Sequence, residues 1–150
     1  MAPELRLAEP GEVAEIAALI VSEGMPAMEV EEWLDGFWVL DDGGTLVGCA
    51  GVELYGAAAV LRSVMVSDVL RGTGEGVRLV ERCLNYAREK GARRCYLFTM
   101  TAEGFFPRFG FERCTLDDFE LAAREGWQWR GVSENEPLRQ VLIPMRAVLQ

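Results

Sequence analysis

Arg71 is followed by glycines at positions 72, 74 and 76, inside the run VMVSDVLRGTGEG from Val64 to Gly76. Glycine at every second residue lets the main chain come close to a bulky anion. The apolar periodicity downstream makes this loop the N-terminus of a helix, where N–H groups and partial positive charge favour phosphate. The chemistry implied is the grip of a phosphate or pyrophosphate by main-chain amides, with a guanidinium beside them. The GK[ST] ending of a P-loop is absent, as are the GxGxxG spacing and acidic ribose partner of a dinucleotide fingerprint. A turn from strand to helix also uses glycine for purely structural reasons.

A second constellation lies just upstream. The turn Gly56–Ala58 joins two apolar segments, VGCAGVELYG and AAVLRSVMV, and pairs residue 55 with about residue 60. That register sets Glu53 opposite Arg62 on one face. A carboxylate and a guanidinium in such surroundings have two readings. One is a structural cross-strand ion pair. The other is a site in which Arg62 binds a substrate carboxylate and Glu53 takes a proton, directly or through water. Tyr55 and Ser63 are further candidates beside them.

Composition narrows the chemistry. The chain has no histidine, which removes His general bases, His triads and the usual His-containing zinc sites. The four cysteines, Cys49, Cys83, Cys95 and Cys114, lack C-x-x-C spacing and read as free thiols of a reduced compartment, with no metal centre expected. A net charge of −9 argues against nucleic acid as a partner. Half of the residues are apolar and the mean hydropathy is near zero, which reads as a soluble globular chain. With no long apolar run and no secretory signal at its start, the expected address is cytoplasmic, away from membranes. A length of 150 residues suits one domain.

The elements that must position these residues can be read from periodicity and turn residues. Glu4–Ala8 reads as a strand and Glu12–Glu23 as a helix, with Val30–Leu34 a second short helix. Phe37–Leu40, Thr45–Tyr55 and Ala59–Ser67 read as strands, the first two joined by a turn at Asp41–Gly44. Gly76–Lys90 is the clearest helix, with an apolar stripe of Val77, Val80, Leu84 and Ala87 and Gly91 as its C-cap. Arg94–Met100 is a strand, Ala102–Phe109 a short helix, Gly110–Thr115 a strand, and Gln140–Val148 a closing strand. Leu116–Arg124 is read as a possible helix and the rest of 117–137 as loop. Trp127 and Trp129 fall in that stretch, where a core-packing or dimer-contact hairpin is the readier explanation than a cover over a cleft.

Two motifs carry a resemblance. Arg71, Gly74 and Gly76 match R-x-x-G-x-G, and TAEGFFPRFGF (Thr101–Phe111) matches A-x-x-F-[FY]-x-x-x-G-F. In this order and at this separation they resemble the GNAT N-acetyltransferase superfamily. The resemblance implies an α/β (α+β) fold: a mixed, mostly antiparallel sheet of about six or seven strands, splayed between strands 4 and 5, with about four helices. It implies acetyl-CoA as co-substrate, its pantetheine arm in the splay. Val64, Met65 and Val66 would line the pantetheine and acetyl group, with an N–H near Val66 as the oxyanion donor. Arg71, Gly72, Thr73, Gly74, Glu75 and Gly76 would hold the pyrophosphate. Thr99 and Thr101 would bond the pantetheine, and Phe106 would sit in the short helix beside the coenzyme.

The chain also departs from the superfamily's pattern. Glu75 stands where neutral or basic residues are commoner, and is expected to turn outward. The tyrosine acid of many members is Phe106 here, the usual glutamate before the glycine loop is Val60, and a frequent asparagine is Thr99. Within the superfamily, LVGCAGVELYG, LRSVMV and TAEGFFPRFGF resemble the arsenic-resistance and amino-acid N-acetyltransferase-like group. That implies acetylation of a small amine, an amino acid or a compound like one, by a possible homodimer. The rival readings are a protein or peptide N-acetyltransferase and a catalytically silent acyl-CoA-binding module.

Overall fold

A computed structural model describes residues Ala2–Gln150. It contains a seven-stranded mixed sheet in the order β1-β2-β3-β4-β5-β7-β6. The strands are β1 Glu4–Leu7, β2 Phe37–Asp42, β3 Thr45–Tyr55, β4 Ala58–Val66, β5 Arg94–Thr99, β6 Glu112–Arg113 and β7 Ile143–Val148. The α-helices are α1 Val13–Ser22, α2 Glu75–Glu89, α3 Trp127–Ser133 and α4 Glu136–Val141. The chain divides into two compact units, one running up to Glu53 and resuming at Leu61–Tyr86, the other formed by Leu54–Val60 with Ala87–Gln150.

In the first unit β1 pairs antiparallel with β2, and β2 with β3. The turn residues that the sequence puts at 41–44 contract to Gly43 and Gly44, because β2 continues through Asp42. Ile16 and Ile20 of α1 are fully buried and join Val30, Phe37, Val39, Cys49 and Met65 in one core cluster. A leucine- or isoleucine-sized side chain sealed in this way contributes about 1.5–3 kcal/mol by burial. The buried face of α2 is wider than the stripe read from sequence. Leu79 and Cys83 are sealed along with Val80, Leu84 and Ala87, and Val77 is half-buried.

In the second unit Ala58–Val60 of β4 pairs in parallel with Arg94–Tyr96 of β5. A parallel pair requires a crossover, and α2 lies in the connecting chain. β5 then pairs with β7 over six residues, and the two-residue β6 pairs with β7. Tyr96 and Phe98 both stack on Phe119, at 4.4 and 5.1 Å between ring centroids. The Tyr96 hydroxyl donates to Glu120 Oε2 at 3.2 Å and accepts from the Glu120 N–H at 3.3 Å, so its polar end is satisfied inside an apolar cluster.

The structure corrects four expectations. Val30–Leu34 is a run of turns ending in a single 3-10 turn, Leu34–Gly36. Glu29, just before it, takes a left-handed φ of 55°, which no helix continues through. Of Ala102–Phe109 only Phe106–Phe109 is helical, as a 3-10 turn, since Pro107 has no N–H to donate. The stretch Leu116–Arg124 breaks into two 3-10 turns around an extended Glu120. The region read as loop holds α3 and α4, the latter started by Asn135, whose side chain accepts from the Leu138 N–H at 3.1 Å.

Charge ties β1 to the start of α1 and to β2. Arg6 bonds both Glu12 carboxylate oxygens, at 3.0 and 2.7 Å, and reaches Asp41 Oδ2 at 3.1 Å. The hydrogen bond from Arg6 holds the Glu12 carboxyl below its ordinary value of 4.5, a further backbone bond from Glu9 helps, and burial opposes. A depressed carboxyl stabilises the fold above its unfolded value and loses that contribution as pH falls through the folded one. Glu12→Gln should therefore melt below the wild type at pH 7, by roughly 2–4 °C if the loss is about 1 kcal/mol. The gap should close as pH falls below 4.5. Melting curves of both proteins across that range check it, and a gap that does not change with pH would remove this role from Glu12.

Candidate functional site

The glycine loop lies open. Arg71, Gly72, Thr73 and Gly74 are exposed, ahead of a first helical turn that starts at Glu75. Gly72 and Gly74 have φ of 80° and 90°, and a Cβ built on either meets nothing within 4 Å. Only glycine takes this conformation without strain, and the space above it is empty of protein. The Thr73 hydroxyl and N–H both donate to Leu70 C=O, at 2.5 and 3.1 Å, which fixes the turn. The Arg78 N–H donates to Gly74 C=O at 3.2 Å, so the N–H groups of residues 75–77 belong to the first turn, where a helix has no internal acceptors. At the junction of β4 and the loop, Ser67 Oγ is buried without a hydrogen-bond partner.

Both arginines at the loop are already engaged by carboxylates. Arg71 pairs with Glu23 at 2.6 Å and Asp68 at 3.0 Å, and Arg78 pairs with Glu75 at 2.5 Å. Glu75 does not turn outward as expected: the residue is 6% exposed. A carboxylate in a first helical turn sits in a favourable field, and the arginine three residues on completes the pairing. Glu23 carried no signal in the sequence, because it meets Arg71 across 48 residues.

Glu53 of β3 and Arg62 of β4 meet across a hairpin whose turn is Gly56 and Ala57, one residue shorter than the Gly56–Ala58 turn expected. Arg62 Nη1 donates to Glu53 Oε2 at 2.9 Å, and both side chains are 1% exposed. Burial lowers the guanidinium's hold on its proton, and the Glu53 charge opposes that. Arginine stays charged in proteins, so this is a sealed ion pair. The guanidinium also lies 5.2 Å from the Phe37 ring centroid. Phe37 lies across Gly51 of β3, where a Cβ would come within 2.5 Å of the ring. Arg62 Nε–H donates to Ser63 Oγ at 3.1 Å, and the Cys49 thiol donates to Ser63 C=O at 3.4 Å. Burial pushes the Cys49 thiol up to about 12, so it is a packing group and weak donor, far from a thiolate. Phe37, Gly51 and Cys49 were not among the expected site residues, since an aromatic, a glycine and a cysteine in apolar strands look like core.

The remaining site residues spread over β4, α2 and the segment after β5. Val64 and Val66 are half-buried and Met65 is buried in β4. Gly76 is half-buried in the first turn of α2. Thr99 is buried, and its Oγ1 accepts from the Ala102 N–H at 3.0 Å, closing the turn after β5. Thr101 is exposed. Phe106 is buried edge-on against Phe105 and Phe111, at 5.1 and 5.9 Å. Arg108 lies over Phe105 at 4.6 Å. Trp129 is a packing residue: its Nε1–H donates to Leu116 C=O at 3.0 Å and Arg124 covers its ring. Among the described residues no cluster of His, Cys, Asp and Glu has the make-up of a metal centre, and no helix is long and apolar enough to cross a membrane.

Comparison with known proteins gives a consistent picture. Residues 12–111 match the model of the acetyltransferase (GNAT) family. An uncharacterized N-acetyltransferase of Chlorobaculum tepidum is 30% identical over 119 residues, covering 76% of this chain and 76% of that protein. An amino-acid acetyltransferase of Ralstonia nicotianae is 29% identical over 103 residues, covering 67% of this chain; the match spans 23% of that longer protein. A Mycobacterium tuberculosis protein solved in complex with CoA and NLQ superposes with a TM-score of 0.79 at 24% identity, covering 99% of this chain and 100% of that one. The matched stretch contains the glycine loop, the Glu53–Arg62 pair and the Phe105–Phe111 segment, and the chain belongs to the GNAT acetyltransferase family.

Proposed function

We propose that this chain moves the acetyl group of acetyl-CoA onto the amine of a small molecule, an amino acid or a compound like one. The observation that carries the reading is the loop Arg71–Gly74: exposed, left-handed at two glycines, and opening a 15-residue helix inside the family match. Acetyl-CoA, when bound, supplies an activated acyl group and a good thiolate leaving group. Amides of the loop and first turn of α2 would hold its pyrophosphate, and Arg71 and Arg78 would turn to it from their carboxylates. The unpartnered Ser67 Oγ is a hydroxyl such a ligand can satisfy. Beyond Val60, the backbone of Val64–Val66 would bond the pantetheine and polarise the acetyl carbonyl. The acceptor nitrogen then bonds to that carbon, the C–S bond breaks, and the nitrogen's proton passes to water or to the departing sulfur.

The amino-acid half of the proposal draws on the relatives. The Ralstonia protein carries the name amino-acid acetyltransferase, and the Mycobacterium structure is a complex with CoA and NLQ. One observation favours a second reading. Residues 1–60 contain twelve aspartates and glutamates against a single basic residue, Arg6. A field of that sign attracts cations, so a basic peptide is the rival acceptor. Thiol release from acetyl-CoA separates the two, with a pool of free L-amino acids set against a pool of basic peptides. Release with the amino acids alone is expected, and turnover confined to peptides would replace the proposal with its rival.

Two variants test the loop by calorimetry with CoA. Gly74→Val forces a β-branched residue into a φ of 90° and should weaken CoA at least ~10-fold, about 1.4 kcal/mol. An unchanged Kd would mean that the pyrophosphate lies elsewhere. Glu75→Gln removes a buried negative charge beside the anion and releases Arg78 from its ion pair. It should tighten CoA by roughly 3–10-fold, in line with a charge effect of about 1 kcal/mol at a helix terminus. Weaker binding would instead show that Glu75 holds the loop in shape.

A further inference from the structure

We propose that the buried Glu53–Arg62 pair is a positioning device that holds Ser63 in a left-handed conformation and so sets the course of β4 into Val64–Val66. The inference rests on the acetyl-transfer reading above, which places those three residues along the reacting group.

Ser63 has a φ of 57° in the interior of a β-strand. Among the described residues only Glu29 shares that sign without being glycine. A left-handed L-residue is disfavoured anywhere, and within a strand it breaks the alternation and bends the chain as a bulge does. Such a conformation persists only where the surroundings over-determine it. Here they do. Arg62 Nε–H takes Ser63 Oγ at 3.1 Å, and the Cys49 thiol takes Ser63 C=O at 3.4 Å, so side chain and main chain of one residue are both pinned. Arg62 is in turn immobilised by Glu53 at 2.9 Å and by the Phe37 ring. Phe37 reaches that position because Gly51 leaves room for it. Relaxing Ser63 to an extended conformation would swing its Oγ away from a donor that cannot follow.

The burial of the pair supports a positioning role over direct chemistry. With both side chains 1% exposed, neither group presents a surface to a substrate. Sealing two charges from water contributes little to stability compared with an apolar pair, so a geometric role explains the pair better. Val64 and Val66, just downstream, remain half-buried and accessible.

The test uses Arg62→Met, Ser63→Ala and the double variant Arg62→Met/Ser63→Gly. Readouts are the 13Cα and 13Cβ shifts of residue 63, which separate left-handed from extended backbone, the Kd for CoA, and kcat and KM for thiol release with the amino-acid pool. Arg62→Met should move residue 63 off its left-handed shifts, lower kcat at least ~10-fold, about 1.4 kcal/mol in the barrier, and raise the Kd for CoA, because Val64–Val66 also bond the pantetheine. Glycine takes a positive φ freely, so the double variant should recover most of kcat while its melting temperature stays low. Left-handed shifts retained in Arg62→Met would overturn the proposal whatever the activity does. A double variant no faster than Arg62→Met would do the same, and would return Arg62 to direct contact with substrate. If Arg62→Met does not fold, Ser63→Ala decides: it keeps the ion pair and deletes the tie, and wild-type shifts and kcat in that variant sink the idea. A wild-type protein that neither binds CoA nor releases thiol is a different failure. It removes the acetyl-transfer reading, and the shifts of residue 63 still judge the clamp.

Discussion

A guanidinium sealed from water has to be answered by its neighbours, and the answers that Arg62 receives organise the first unit. Glu53 supplies the opposite charge from β3. Phe37 supplies a ring face from β2, and Gly51 supplies the absence of a side chain that lets the ring lie there. The Nε–H goes to Ser63 on β4 itself. Three adjacent strands are thus fixed in register by one side chain. An apolar residue could fill the same volume at lower desolvation cost but could not aim a hydrogen bond at a chosen atom. This electrostatic constraint distinguishes β4 from a strand held by packing alone.

The loop after β4 works under the opposite constraint, since its charges are exposed and exchangeable. Arg71 is 56% exposed and its partner Asp68 is 84% exposed. Ion pairs of that kind contribute little and are readily surrendered. On the acetyl-transfer proposal, an arriving pyrophosphate would offer each arginine an alternative anion to the carboxylate it leaves. The pairing of Arg78 with a buried Glu75 is less easily exchanged, because the carboxylate left behind is largely out of water. On the proposed function, anion binding at this loop is therefore a competition between internal carboxylates and an external phosphate. The affinity is the difference between them.

The sheet strands were legible because alternation and turn residues are local. Thr45–Tyr55 came out at its own limits, and Gly72 and Gly74 lie in the open ahead of α2, while Gly76 is half-buried in its first turn. The short helices were not legible. Val30–Leu34 has helical spacing, but a five-residue segment is too short to offset the cost of nucleation, and its path is set by Glu29, where Trp33 Nε1–H bonds the carboxylate at 3.1 Å. In α3, Trp127 and Trp129 hide the helix, since apolar residues two apart give no helical spacing and the stretch reads as loop, and Trp129 is held by a bond to Leu116 that no local pattern announces. In the site, alternation along two strands sufficed to put Glu53 and Arg62 on one face, where they meet. The burial of that pair, the inward turn of Glu75 and the reach of Glu23 to Arg71 depend on contacts remote in sequence. Periodicity does not encode them.

The two positions without a proton donor or acceptor take on a structural meaning. Val60 is 3% exposed, pairs with Tyr96 and belongs to the apolar cluster of Phe119 and Ala123. A carboxylate there would be buried with no partner, at a cost of several kcal/mol. Phe106 is enclosed by the edges of Phe105 and Phe111, where a phenolic hydroxyl would also need an acceptor. Both positions have been committed to packing. On the acetyl-transfer proposal, the chain must then obtain its rate from placement: holding the thioester still, polarising its carbonyl with main-chain amides, and admitting an amine that arrives deprotonated. Orientation alone can supply about 7–11 kcal/mol of a barrier when the reacting atoms are held at contact. A thiolate leaves without help from an acid. A site of that kind tolerates the loss of its acid and base far better than any slack in the strand that carries Val64–Val66. That strand carries Arg62, whose buried charge Glu53 answers from β3, and one of the two left-handed residues other than glycine among those described.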